Sequence, residues 1–145
     1  MTIAQSHARR KVFNRYKNAG FSFATVIHPS AVIASDVVLG EGAQINAGAV
    51  LQPNVRIGAN LIVNVGVVID HDTFVGDHVH LATGAVLAGA VTVGEAAMIG
   101  AGATIIQGMR IGREALVAAG AVVINDVPDH ERVAGVPART MVPRL

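Results

Sequence analysis

Half of the six histidines of this chain lie within ten residues, as His71, His78 and His80, among the acids Asp70, Asp72 and Asp77. A neutral imidazole titrates near neutrality and can take a proton from an amine or hydroxyl as that group attacks a carbonyl. A carboxylate beside it can hold the other ring nitrogen, which fixes the tautomer and stabilises the imidazolium that forms. His71 and Asp72 are adjacent and supply such a pair. Two other readings fit the same residues. His71 can be a solvated turn histidine between two solvated acids, or His71, His78 and His80 can be three imidazole ligands for zinc. With no cysteine in the chain, a thiolate metal site, a disulfide and a cysteinyl acyl intermediate are all excluded. His7 and His130 read as solvated, and His28 as a turn residue.

The elements that must position this cluster follow from an internal repeat. Stepping by six from Ile27 to Val123, all seventeen positions are Ile, Leu or Val. These types fill 42 of 145 positions, so chance agreement is on the order of 10⁻⁹. Two residues before most of them stands a small or β-branched residue, among them Ala43, Ala49, Val55, Thr73, Ala85 and Ala103. Side chains two apart share a face of a strand, so each hexad predicts one short strand with a large and a small inward residue. Directly after the aliphatic comes Gly, Asn or Asp in nine of the seventeen hexads, and the spacing predicts a sharp bend there at a residue that tolerates positive φ. Gly40, Gly58, Gly76, Gly94 and Gly112 recur every eighteen residues, so three hexads form one turn of a triangular prism. His71, two places after inward Ile69, falls at an outward corner.

Composition agrees with such a prism. The chain of 145 residues is 52% hydrophobic but only 3% aromatic, with 16 Gly and no Trp. A triangle filled by one aliphatic per side has no room for an indole. The mean hydropathy of +0.51 comes without eighteen consecutive apolar residues, which excludes a spanning helix. Without a signal peptide or cysteines, the chain reads as cytoplasmic. Residues 6 to 18 predict a helix, with Ser6 as N-cap, Gly20 as stop and Val12, Phe13 and Tyr16 as an apolar stripe. Arg9, Arg10, Lys11, Arg15 and Lys17 give this end five positive charges and no acid; they read as one solvated helix face rather than a nucleic-acid footprint. The hexad register fails at Asp129, and Pro128, Pro137 and Pro143 make the tail irregular. The expected organisation is an N-terminal helix and linker strand over 1–25, repeats over 26–127 and a C-terminal cap over 128–145, with both end segments capping the solenoid.

The hexads resemble the left-handed parallel β-helix of hexapeptide-repeat proteins from about Ile27 to Val123, an all-β fold. Five features extend the likeness: Thr25-Val26-Ile27-His28-Pro29-Ser30-Ala31, the uninterrupted coils, Ile69-Asp70-His71-Asp72, the Gly76-x-x-x-His80 spacing, and Ala134-Gly135-Val136-Pro137-Ala138-Arg139. Together they resemble the sugar O- and N-acetyltransferases typified by sialic-acid O-acetyltransferases and the N-acetyltransferases of UDP-4-amino sugars. The resemblance implies acetyl-CoA as co-substrate and no metal. It makes His71 the general base and Asp72 the acid that raises its basicity. It implies that His80 contacts acetyl-CoA, that Ala101 and Ala119 line the pantetheine groove, and that the backbone near Gly89 receives the thioester oxygen. Members of the family begin with a small Rossmann-like domain that holds a nucleotide; residues 1–25 look like its last helix and strand, and no GxGxxG precedes them.

The expected activity is direct acetyl transfer to an amine or hydroxyl of a sugar or sugar nucleotide. Flat, mostly uncharged faces predict a homotrimer with sites between neighbouring subunits, and Arg110, Arg113 or Arg139 is expected to meet the CoA phosphates. The alternatives are a non-catalytic trimeric scaffold and a three-histidine zinc enzyme resembling the β-helical carbonic anhydrases. Neither nucleic acid nor membrane is expected as a partner.

Overall fold

Each of the seventeen periodic aliphatics closes a two-residue strand, from Val26–Ile27 to Val122–Val123. In the computed structural model, which describes residues 6–141, successive strands turn to a new face and every third strand pairs in parallel with its predecessor. The register is eighteen residues: Ile45 pairs with Val63, Val63 with Leu81, Leu81 with Ile99. Face A contains Ile62–Val63, His80–Leu81 and Met98–Ile99; face B contains Val68–Ile69 and Val86–Leu87; face C contains Phe74–Val75 and Thr92–Val93. Stacked coils satisfy one another's backbone groups, as where Ala90 N–H donates to the His71 carbonyl (2.8 Å). From Ile45 onward the large aliphatics are all buried, and so are Ala43, Ala49, Ala85 and Ala103 at the small inward positions. Phe74, the one aromatic residue among the repeats, points outward and is half-exposed.

The corners are built differently from the sequence expectation. Positive φ falls two residues later than expected, on Gly42, Asn54, Asp72 (φ 58°) and His78 (φ 62°), among others. Gly40, Gly58, Gly76, Gly94 and Gly112 are not in the left-handed region. They are glycines because the next coil lies against them: a Cβ on Gly94 would stand 2.6 Å from the Arg113 amide nitrogen, and one on Gly76 2.9 Å from that of Glu95. Close backbone approach, rather than backbone conformation, sets the eighteen-residue glycine period.

The helix α1 (Ser6–Asn18) has the expected bounds but does not cap an end. It lies lengthwise along face A and the C–A corner. Lys17 pairs with Glu41 (2.8 Å), and Arg10 pairs with Glu95 (3.3 Å) and Glu114 (3.1 Å), which lie one coil apart from one another. The basic cluster is thus partly spent on an acidic corner rather than forming one solvated face. Of the predicted stripe only Phe13 is buried; it stacks on Phe23 at 4.5 Å. With the helix at the side, Ile27 of the first coil remains 47% exposed.

The other end is closed. The register slips by two residues before Asp129, so that Ile111 pairs with Val127 and Val117 with Val133, sixteen residues on. The strand Arg139–Thr140 folds back antiparallel on Arg132–Ala134, with Ala138 against the core. The Ser6 side chain and Pro143 lie outside the described residues.

Candidate active site

The turn Asp70–Thr73 joins face B to face C. At its apex the carboxylate Oδ2 of Asp72 lies 2.8 Å from His71 Nδ1. A carboxylate only accepts, so Nδ1 carries the hydrogen and donates, leaving the lone pair of the neutral ring on Nε2. The bond to Asp72, followed by the field of Asp70, raises the His71 pKa above its ordinary 6.5; Asp72 is lowered by its bonds to His71 and Asn54. Both side chains are about half-exposed, at 51% and 54%.

One coil on, Gly89 occupies the same corner. A Cβ there would lie 2.7 Å from His71 Nε2, so the basic nitrogen faces bare Gly89 backbone. Beneath the turn, Thr73 is the one inward residue with a hydroxyl among the buried core positions. Its Oγ1 donates to the Ala88 carbonyl (3.2 Å) and accepts from Val91 N–H (3.3 Å), so the burial leaves no unmet polar group. The corner can therefore accept a proton at Nε2 and present main-chain groups beside it.

Of the residues singled out from the sequence, His71, Asp72 and Gly89 meet. The others do not join them within one protomer. Ala101 and Ala119 are exposed on the A–B corner, one coil apart, with Gly102 and Gly120 beside them. His80 is buried on face A, in the strand alongside α1. His78 and Asp77 are on the C–A corner, where His78 is 6% exposed beneath Phe13. Asn60 Nδ2 donates to His78 Nδ1 at 2.8 Å, which requires a neutral ring, and burial lowers the His78 pKa. Three histidines on a corner, a face and another corner cannot converge on one ion, and among the described residues no group of three His, Cys, Asp or Glu is placed to hold a metal. Arg113 is held by Glu95 (3.0 Å) on the C–A corner, whereas Arg139 follows Ala138, which bonds the Val122 carbonyl on face B. A cavity of about 500 Å³ lies elsewhere, between α1 and the first coils, lined by Arg9, Phe13 and Ile27. The His71 corner is open surface.

The sequence reading missed Asn54. Its Nδ2 donates to the second oxygen of Asp72 (3.1 Å), and its own N–H donates to Asp36 Oδ2 (2.9 Å). The signal was present: positions 36, 54 and 72 are eighteen apart and stack in one column.

A triangular parallel solenoid with a histidine–carboxylate pair on a corner, and small residues exposing the backbone on another, defines a class of acyl-transferring β-helix enzymes. Among solved structures the chain is similar to perosamine N-acetyltransferase from Caulobacter crescentus in complex with CoA and GDP-perosamine, with 40% identity over 97% of this chain and 67% of that chain and a TM-score of 0.94. Two structures of that enzyme carry a single histidine replaced, by asparagine or by alanine. The acetyltransferase domain of PglB from Neisseria gonorrhoeae with acetyl coenzyme A matches at 33% identity over 95% of this chain and 67% of that one, TM-score 0.93. WeeI from Acinetobacter baumannii matches at 34%, over 95% and 68%, TM-score 0.92. No protein-family model and no curated protein matches the chain. The chain belongs to the left-handed β-helix sugar acetyltransferases, of which it spans about two thirds of the length of the relatives named.

Proposed function

We propose that the protein transfers the acetyl group of acetyl-CoA to an amine of a sugar or sugar nucleotide, with His71 as general base. The observation that carries this reading is the free Nε2 of His71, held in its basic tautomer by Asp72 and facing the Gly89 backbone. The amine nitrogen attacks the thioester carbonyl, and its proton passes to Nε2. The Gly89 segment donates to the oxyanion as the C–N bond forms. The C–S bond then breaks, the thiolate leaves and the proton on Nε2 goes to it, giving the amide and free CoA. The relatives support both the donor and the choice of amine over hydroxyl, since one is an N-acetyltransferase with a nucleotide-linked sugar and another holds acetyl coenzyme A.

The site is completed in a homotrimer. The outward strand residues of face B are Val32, Val50, Val68, Val86, Thr104 and Val122, a mostly apolar strip with no charge. Face B separates the His71 corner from the Ala101 corner. Three such faces turned toward a threefold axis bring the His71 corner of one subunit beside the Ala101 and Ala119 corner of the next. The pantetheine arm then runs along the exposed small residues Ala101 and Ala119, with Arg139 at the end of the groove for the CoA phosphates. A cytoplasmic location suits the acetyl donor and the absence of cysteine.

The test is His71→Ala, assayed by CoA release with amino sugars and their nucleotides as acceptors. The variant is expected to lose roughly 10²- to 10⁴-fold in kcat, with acetyl-CoA affinity by calorimetry and oligomeric state unchanged. Near-normal turnover would remove His71 from the mechanism.

A further inference from the structure

The carboxylate of Asp72 is half-exposed. Its orientation is set by two hydrogen bonds: one oxygen accepts from His71 Nδ1 (2.8 Å), and the other accepts from Asn54 Nδ2 (3.1 Å). Asn54 in turn is fixed from below. It stands at φ 62°, a backbone conformation Asn tolerates, and its N–H is held by the Asp36 carboxylate at 2.9 Å. Asp36, Asn54, Asp72 and His71 thus form a hydrogen-bonded ladder up three successive coils of the B–C corner. Asn54 donates to a carboxylate on either side, and Asp72 accepts one bond on each oxygen.

We infer that Asn54 is a positioning residue for the acetyl transfer: its amide holds the Asp72 carboxylate so that the opposite oxygen engages His71 Nδ1 and Nε2 stays aimed over Gly89. The inference rests on the reading of His71 as base. An exposed carboxylate without the amide can rotate about χ2 and exchange its partner for water, and an imidazole released from it loses both tautomer and direction. The amide adds no charge to the pair and takes one lone pair of Asp72 out of competition with solvent.

Two substitutions separate this role from a structural one. Asn54→Gly keeps the positive φ and the N–H to Asp36 and deletes only the amide. It is expected to lower kcat about tenfold, with KM for acetyl-CoA and the thermal midpoint unchanged. Asn54→Asp is isosteric and places a second carboxylate against Asp72. Its added negative charge is expected to move the acid limb of the kcat/KM pH profile upward, because the protonated form of His71 gains a further counter-charge. The measurements are steady-state kinetics across pH on both variants and on His71→Ala, with a melt of each. Wild-type kcat for Asn54→Gly together with an unshifted profile for Asn54→Asp overturns the positioning role while an inactive His71→Ala leaves the base assignment standing. An active His71→Ala overturns the base assignment itself.

Discussion

Replacing Gly89 by alanine should uncouple activity from stability. Gly89 has no left-handed φ, so alanine can adopt its backbone. The added Cβ lies 2.7 Å from His71 Nε2 and 2.8 Å from Cε1. Ordinary carbon contacts are about 3.5 Å or more, so the imidazole must retreat by roughly 0.8 Å. That retreat is easy for the fold, because the ring is the far end of a side chain 51% exposed to solvent. The smaller entropy of the unfolded chain offsets the contact by about 0.4–1 kcal/mol, and the melting temperature should hold or rise slightly. Catalysis has no such tolerance. A misplacement near 1 Å costs on the order of 10²-fold, and the loss should appear in kcat measured by CoA release. Gly94→Ala is the counterpart. There the Cβ meets the Arg113 amide nitrogen at 2.6 Å, and only separation of two coils can relieve it. It should lower stability by about 1–3 kcal/mol and leave kcat normal while the protein is folded. A Gly89→Ala enzyme with wild-type kcat would refute the placement of Nε2 over that backbone.

The remaining predictions concern the faces away from this corner. Val86→Arg, in the middle of the uncharged strip of face B, should yield a folded monomer by light scattering and abolish transfer; a persistent trimer, or an active monomer, would contradict the shared site. His78 has its pKa lowered by burial, against the opposing fields of Asp77 and Glu95 and together with those of Arg10 and Arg9. A depressed histidine contributes stability that is complete above its unfolded value of 6.5 and is lost as pH falls through the folded value. Protection of the α1 amides, corrected for the intrinsic pH dependence of exchange, should therefore fall as pH drops below 6.5, and pH-independent protection would show that His78 stays neutral without cost. His71 has the opposite sign: its pair with Asp72 is strongest below the unfolded value and fades as pH rises through the raised folded one.

How much of this was legible in the sequence differs from element to element. The seventeen aliphatics fixed strand, face and register together, because a period of six in a three-sided coil leaves one inward place per side. They also explain why the chain is hydrophobic yet almost free of rings. The period of the glycines is legible as structural, but its cause is not. Their period marks where coils touch, which no property of an isolated hexad expresses, whereas the left-handed residues include Asp72, His78 and Ala90, which are not glycine. The basic N-terminal cluster looked like a solvated face, since its partners Glu41, Glu95 and Glu114 are 24 to 104 residues away.

The sequence by itself determined that His71 sits outward on a corner next to an acid, because a strict period assigns every residue a side. Only the tertiary structure decided what surrounds it. The stacking of coils set bare Gly89 over Nε2 and Asn54 under Asp72, and it carried His78 and His80 away to another corner and a face although they follow within nine residues. The physical reason is that neighbours along a solenoid chain diverge around the prism, while neighbours in space come from eighteen residues before and after. A cluster in the sequence was thereby dispersed, and a ladder spread over the sequence was brought together at the site.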